Sequence, residues 1–272
     1  MDVKEKILLS KEQETLLITL FCKAQDNPIL KDEKARQILE QVDYEFNRLK
    51  IPQKTVVMMN MRAKKLDGYT KEFIAHHPDA VILHLGCGLD SRCLRVERRE
   101  TIWYDLDLAD VIELRRMFYP ESKTYCMIAS SVSDPTWLEQ VAPLDRPVLV
   151  VAEGLFMYLQ ESEVHDLILR LHQKFPGCHL VFDAFSKLTA GGVAFNPSLR
   201  ETGATVRWGI DDPYELEGWA KGLGSSIKLK EEWFFSQSPD IDRLSWFNRF
   251  MFHLTAPIST VQKAHRILYY YL

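Results

Sequence analysis

Two glycines flank a cysteine at the end of an apolar run, in Val81-Ile82-Leu83-His84-Leu85-Gly86-Cys87-Gly88-Leu89-Asp90. Glycines at such a place let the backbone turn sharply and approach a ligand closely. In an open α/β sheet, ligands bind beyond the carboxyl ends of the strands. The run is Gly-x-Gly, with Ser91 where the dinucleotide fingerprint has its third glycine. That fingerprint leaves a helix N-terminus open for a pyrophosphate. Asp90 sets a carboxylate there, which repels a pyrophosphate and suits a cationic or zwitterionic ligand. S-adenosylmethionine, with a sulfonium and an ammonium, fits better than NAD. By itself the turn is also compatible with a plain strand-to-helix connection.

Three further turns carry groups suited to such a ligand. The second apolar run ends Trp103-Tyr104-Asp105-Leu106-Asp107. Asp105 lies 17 positions after Gly88, close to the spacing of an acid that accepts from the two hydroxyls of a ribose. Asp105 is therefore expected on the ribose with Leu106 beside it, and Asp107 as mostly structural, in the manner of an Asp helix cap. The third run ends Ala129-Ser130-Ser131-Val132-Ser133-Asp134-Pro135. Ser130, Ser131 and Val132 are candidates to flank an adenine, and Asp134 followed by proline reads as a helix cap. The fourth ends Glu153-Gly154-Leu155-Phe156-Met157-Tyr158. A buried carboxylate needs a partner, and a ligand's positive end is one candidate for Glu153 and Gly154. Phe156, Met157 and Tyr158 are candidates to wall a transfer site, with core packing expected for two of the three.

These turns need a sheet to hold them. Ala80–Leu85, Thr101–Asp105, Thr124–Ile128, Val148–Ala152 and Cys178–Phe182 read as buried strands separated by helical segments. Val164, Leu167, Ile168, Leu171 and Phe175 recur at helical spacing, and Pro176-Gly177 stops that helix. Alternation of this kind implies a parallel sheet covered on both faces. Ile227–Phe235 and the aromatic Arg266–Leu272 read as two more strands, making seven with an antiparallel C-terminal edge. Residues 1–75 read as a helical extension, 76–272 as the main domain, and 187–225 as a lid-like insertion with Asp212–Lys221 as a helix. Within the insertion, Phe195, Arg200, Arg207 and Trp208 are candidates for acceptor recognition, beside the plain reading of a surface insertion.

Composition sets limits. Thirty-four basic and 38 acidic residues leave a net charge of −4, which offers no basic imbalance for nucleic acid. No apolar run reaches the roughly 20 residues of a membrane span. Five scattered cysteines without a CxxC pair suit free thiols and a cytoplasmic location. Adjacent His76 and His77 do not share a helix face, so no metal is expected. His84, in mid-strand, reads as a satisfied core histidine.

Taken in order, these runs resemble the leucine carboxyl methyltransferase and polyketide O-methyltransferase family. The similar stretches are His84–Arg92, Trp103–Val111, Ser131–Leu138 and Ala152–Leu159, with Leu20–Ala35 and Met61–Asp67 ahead of them. The resemblance implies a Rossmann-like class I fold, S-adenosylmethionine as cofactor, and a small-molecule acceptor methylated at a carboxyl or hydroxyl oxygen by a monomer or homodimer. It implies Arg62 and Lys23 as the clamp on the cofactor's carboxylate, a role that suits a guanidinium, and Arg92 as a partner of Asp90 or a neighbouring acid. Lys23 replaces a more usual arginine, Ala109 a frequent proline, and Ser131 a frequent acid. A nicotinamide-dependent oxidoreductase and a non-catalytic cofactor binder are the competing readings.

Overall fold

Strands β1 (Val81–Leu85) and β4 (Val148–Ala152) are buried at every position. That is why neither shows the in–out alternation of a half-exposed strand. The computed structural model describes residues 14–46, 51–141, 145–192, 204–221, 226–255 and 258–272. Beside these two strands run β2 (Ile102–Asp107), β3 (Tyr125–Ala129), β5 (His179–Phe185), β6 (Lys228–Phe234) and β7 (His265–Tyr271). They form one seven-stranded sheet in the order β3-β2-β1-β4-β5-β7-β6. β1 through β5 are mutually parallel, and β7 pairs antiparallel with both β5 and β6. The antiparallel end matches expectation, with one refinement: the C-terminal strand slots between β5 and β6, so β6 is the outermost.

Two strands run further than their apolar stretch. β2 continues to Asp107, which pairs with Ala129, and β5 continues through Asp183 to Phe185. Both extra segments carry an acid toward the carboxyl edge. The chain leaves β1 to one side for β2 and returns as β4 on the other, so the turns after β1 and β4 meet at a topological switch point.

Helices cover both faces. On one, α1 (Glu14–Ala24), α2 (Glu33–Gln41), α3 (Gln53–His76) and α5 (Ala109–Phe118) share a core with sheet residues such as Ile82, Trp103, Val151 and Ile267. On the other, α6 (Glu161–Lys174) buries Val164, Leu167, Ile168 and Leu171, as its periodicity predicts. Phe156, Phe182 and Trp208 interlock there, with the first two ring centroids 4.5 Å apart. The short α4 (Arg92–Arg95) follows the glycine turn.

The expected helix over 212–221 is a 3-10 segment, Pro213–Gly218, capped by Asp212 accepting from Tyr214 N. Proline at its start and Gly218 at its end keep it short. Ala190, Gly191 and Gly192 belong to a short helix, α7 (Lys187–Gly192). Phe195 and Arg200 lie outside the described residues. No helix among the described residues is long and apolar enough to cross a membrane.

Candidate functional site

Gly86 and Gly88 take φ of +61° and +49°, a region costly for residues with a Cβ. A Cβ on Gly86 would also stand 2.9 Å from Leu155 Cδ1. Space and backbone thus both require glycine at the turn. Cys87 between them is buried, its thiol pushed up by burial and its N–H given to Leu106 O at 3.2 Å. It serves the turn through its backbone and offers no reactive thiolate. Leu106, expected beside the ligand, is a core residue of β2.

Asp107, the last residue of β2, closes the turn from the side. Its Oδ2 accepts from Gly88 N at 2.7 Å and its Oδ1 from Leu108 N at 2.8 Å. Burial pushes its carboxyl up, against those two bonds. Asp105 sits two residues deeper on the same face of the strand and is fully buried. It accepts from Arg115 Nε and Trp103 Nε1, both at 2.8 Å, from the Tyr125 hydroxyl, and from His84 Nδ1 at 3.1 Å. Burial alone would raise its carboxyl, but Arg115 and His84 hold it well below the usual carboxylate range. With both oxygens engaged in the core, Asp105 does not reach a ribose, and the expectation for it is corrected: the acid at the mouth is Asp107. His84 is a satisfied core histidine. Its Nε2 lies 3.3 Å from Arg92 Nη1, which can only donate, so Nδ1 carries the proton given to Asp105.

Glu153 follows β4 directly, opposite this turn, its side chain 4% exposed. Lys23 Nζ lies 2.9 Å and Arg62 Nη2 3.2 Å away on Oε1, and Arg92 Nη2 bonds Oε2. Burial opposes ionisation, but Lys23, Arg62 and Arg92 bring its carboxyl down to about 2. Asp90 meets Arg95 Nη1 at 2.6 Å and Lys23 at 3.2 Å. Against the burial penalty, Arg95 and Lys23 hold it well below its ordinary range. Arg62 also bonds Asp183 at 2.9 Å. Arg92, fully buried, spans Asp67, Glu153 and His84. It is the partner of neighbouring acids that the resemblance implies, locked in the interior rather than facing a ligand. Gly154 gives its N–H to Asp183.

Ser130 N bonds Asp107 O at 2.9 Å, which lays the turn after β3 alongside Asp107. Ser131 is exposed and Val132 buried. Asp134 caps the following 3-10 helix through Thr136 N, with Pro135 at its first position. In the turn after β4, Phe156 and Met157 are buried core residues, so they do not wall a transfer site. Tyr158 remains: half-buried, its hydroxyl bonded to Thr15 and near Arg62 and Asp183. Trp208 is buried in the Phe156 cluster, which removes it from acceptor recognition, whereas Arg207 is exposed.

Several members of this cluster escape a sequence reading. Asp67 clamps Arg92 and Arg95; Asp32 caps α2 and bonds Arg95; Asp183 joins Arg62 to His265. One signal was available: Arg92 and Arg95, three apart in a helix, share a face. The broad groove lined by Asp212, Tyr214, Glu217 and Lys221 shares no residue with the cluster.

A zwitterionic adenosyl ligand fits the residues present. Asp107 stands beside a turn that glycine alone can make. Asp90 and Glu153 are held ionised by the cations around them, Asp90 Oδ2 lying 3.2 Å from Lys23 Nζ and 3.4 Å from Arg92 Nη2. Arg62 Nε is a buried donor without a hydrogen-bond partner among the described residues. An unspent donor beside ionised acids suits a ligand that carries both a carboxylate and a positive charge.

Sheet order and the glycine turn at its switch point are those of a Rossmann-like α/β fold. The sequence model for leucine carboxyl methyltransferase matches residues 13–172. The chain is 40% identical over 271 residues, 98% of each protein, to the tetracenomycin polyketide synthesis O-methyltransferase TcmP of Streptomyces glaucescens. It is 36% identical over 245 residues, 81% of this chain and 82% of the other, to the S-adenosyl-L-methionine-dependent methyltransferase dpfgK of Gibberella zeae. Among solved structures, a DUF574 family protein from Streptomyces avermitilis superposes with a TM-score of 0.59 at 13% identity, covering 96% of this chain and 99% of that one. That likeness concerns the fold. The chain belongs to the leucine carboxyl methyltransferase family, and it is an S-adenosylmethionine-dependent methyltransferase. The oxidoreductase reading is thereby set aside.

Proposed function

We propose that the protein transfers a methyl group to an oxygen of a small, polyketide-like acceptor. Asp107 accepts from the ribose hydroxyls, while Asp90 and Glu153 face the cofactor's cationic end. Arg62, with Lys23 behind it, holds its carboxylate, and the Ser130–Val132 turn flanks the adenine. Tyr158 stands at the transfer site. The cofactor supplies an electrophilic methyl group on a positively charged sulfur. The chain's own contribution is alignment and exclusion of water.

The observation that carries this reading is the pair of carboxylates, Asp107 and Glu153, framing the Gly86–Gly88 turn at the switch point. The oxygen acceptor is supported by likeness to TcmP across nearly the whole chain. A screen of labelled methyl transfer to phenols, carboxylic acids and amines tests it. Ether or ester products are expected; transfer to nitrogen alone would sink the reading.

A further inference from the structure

α1 runs across the switch point, and each of its ends holds a different part of the site. At its start, the Thr15 side chain bonds the Tyr158 hydroxyl in the turn after β4. Leu16 lies against the glycine turn after β1: a Cβ built on Gly88 would stand 3.5 Å from Leu16 Cβ, an ordinary van der Waals contact. At its end, Lys23 reaches Asp90 at 3.2 Å and Glu153 at 2.9 Å. The helix therefore bridges the two turns between which a ligand binds in such a sheet.

The groups beneath it are closed off. The side chains of Asp90, Glu153 and Arg62 are 8%, 4% and 5% exposed. A ligand reaches groups buried to that degree only when a neighbouring element moves. α3, which carries Arg62, is buried along most of its length, and the strands that present the two turns are buried at every position. α1 is held differently along its length. Near its end, Cys22 O accepts from the buried Asn60 Nδ2 at 2.8 Å, and Leu17 and Leu20 seat its middle on the core. Its first turn is half-buried at Thr15 and Leu16, and meets the site through one hydroxyl pair and one apolar contact. The helix is thus pinned at one end and releasable at the other.

We propose that α1 is the cover of the cofactor cleft, and that Thr15 is a positioning residue that ties closure of this cover to the placement of Tyr158. This rests on the cofactor and transfer-site placement above. The first turn of α1 lifts to admit the cofactor and settles over it, and the Thr15–Tyr158 bond re-forms as it settles. Burial holds the Tyr158 phenol above its ordinary range, against Arg62 and the Thr15 bond, so it stays neutral. A neutral phenol accepts one hydrogen bond and donates another. Accepting from Thr15 leaves its proton to face the acceptor. The transfer site is complete only when the cleft is covered, which keeps water from the reacting centre.

Two measurements on the whole chain test this, and neither needs an acceptor. Hydrogen exchange of the amides of residues 18–24 is followed with and without S-adenosylhomocysteine. The ligand should slow their exchange; unchanged exchange in a protein that binds the ligand overturns the cover. Release of labelled S-adenosylmethionine into an excess of unlabelled S-adenosylhomocysteine is then timed for the wild type, Thr15→Val, Thr15→Ser, Tyr158→Phe and the Thr15→Val/Tyr158→Phe pair. Valine and phenylalanine should each speed release by about 2- to 10-fold, the weight of one net hydrogen bond. Serine should release at the wild-type rate, and the pair no faster than either single variant. Release unchanged by valine, serine as fast as valine, or single effects that multiply in the pair overturns the role of Thr15. A wild type that binds neither adenosyl ligand overturns the cofactor placement itself, and the cover with it.

Discussion

Exchanging one oxygen for an amide at Asp107 and at Asp105 should have opposite consequences. Asp107 is half-buried at the mouth of the turn, and its two existing bonds come from backbone N–H groups. Asp107→Asn keeps an acceptor for one of them but loses the charge offered to the ribose. A hydrogen bond to a charged group is worth about 1.5–3 kcal/mol, which corresponds to roughly 10- to 150-fold weaker S-adenosylhomocysteine binding. Stability should change little. Asp105→Asn leaves the Arg115 guanidinium buried without its counter-charge, and breaking such a pair costs about 3–5 kcal/mol. Unfolding entropy of about 2.1 cal/mol/K per residue converts that into a Tm fall of about 5–9 °C for 272 residues. Ligand affinity of the folded protein should stay near the wild type. Calorimetry and thermal melts on the two variants separate the roles. Weakened binding in Asp105→Asn with unchanged Tm, alongside unaffected binding in Asp107→Asn, would refute the ribose assignment.

Other consequences follow from single contacts. Gly86→Ala should cost at least about 1–2 kcal/mol from its positive φ alone, and pairing it with Leu155→Ala should recover the steric part; equal melts for single and double variants would contradict the clash. Phe156→Ala should cost about 3–5 kcal/mol of stability as a core truncation, with calorimetry showing cofactor-product affinity retained in the folded protein. Stability should also fall in acid. The Glu153 carboxyl is lowered from 4.5 to about 2 by Lys23, Arg62 and Arg92 against burial. Its contribution is fully present above the unfolded value and is lost as pH falls from about 4.5 toward 2. Asp90 and Asp183 shift in the same direction. A Tm that holds steady from pH 7 down to 3 would count against this network.

The strands and the glycine turn were legible because they depend on local pattern: unbroken apolar runs for a doubly covered sheet, and glycines where φ is positive. Asp105 and Asp107 mark where that legibility stops. Both point to the same face, since side chains alternate with a period of two. They differ by depth, two residues or about 6.6 Å along the strand. Only the point where β2 actually ends decides which one reaches solvent. The same holds for Phe156 and Tyr158, two residues apart, one in the core and one near Thr15. The Arg62–Asp183–His265 chain joins α3, β5 and β7, elements more than 80 residues apart in sequence between His265 and Asp183 alone. No spacing rule spans such distances, because the sheet order, not the chain, brings them together. Lys23, by contrast, came from family resemblance; its own neighbourhood in α1 does not announce that it reaches Glu153.

On the proposed reading, the turn, Asp107 and the paired acids suit a zwitterionic adenosyl ligand and disfavour a pyrophosphate. Titration calorimetry of the wild-type protein with S-adenosylhomocysteine and, separately, with NADH tests that preference most directly. Saturable one-to-one binding of S-adenosylhomocysteine and none of NADH is expected. Binding of NADH without S-adenosylhomocysteine would contradict it.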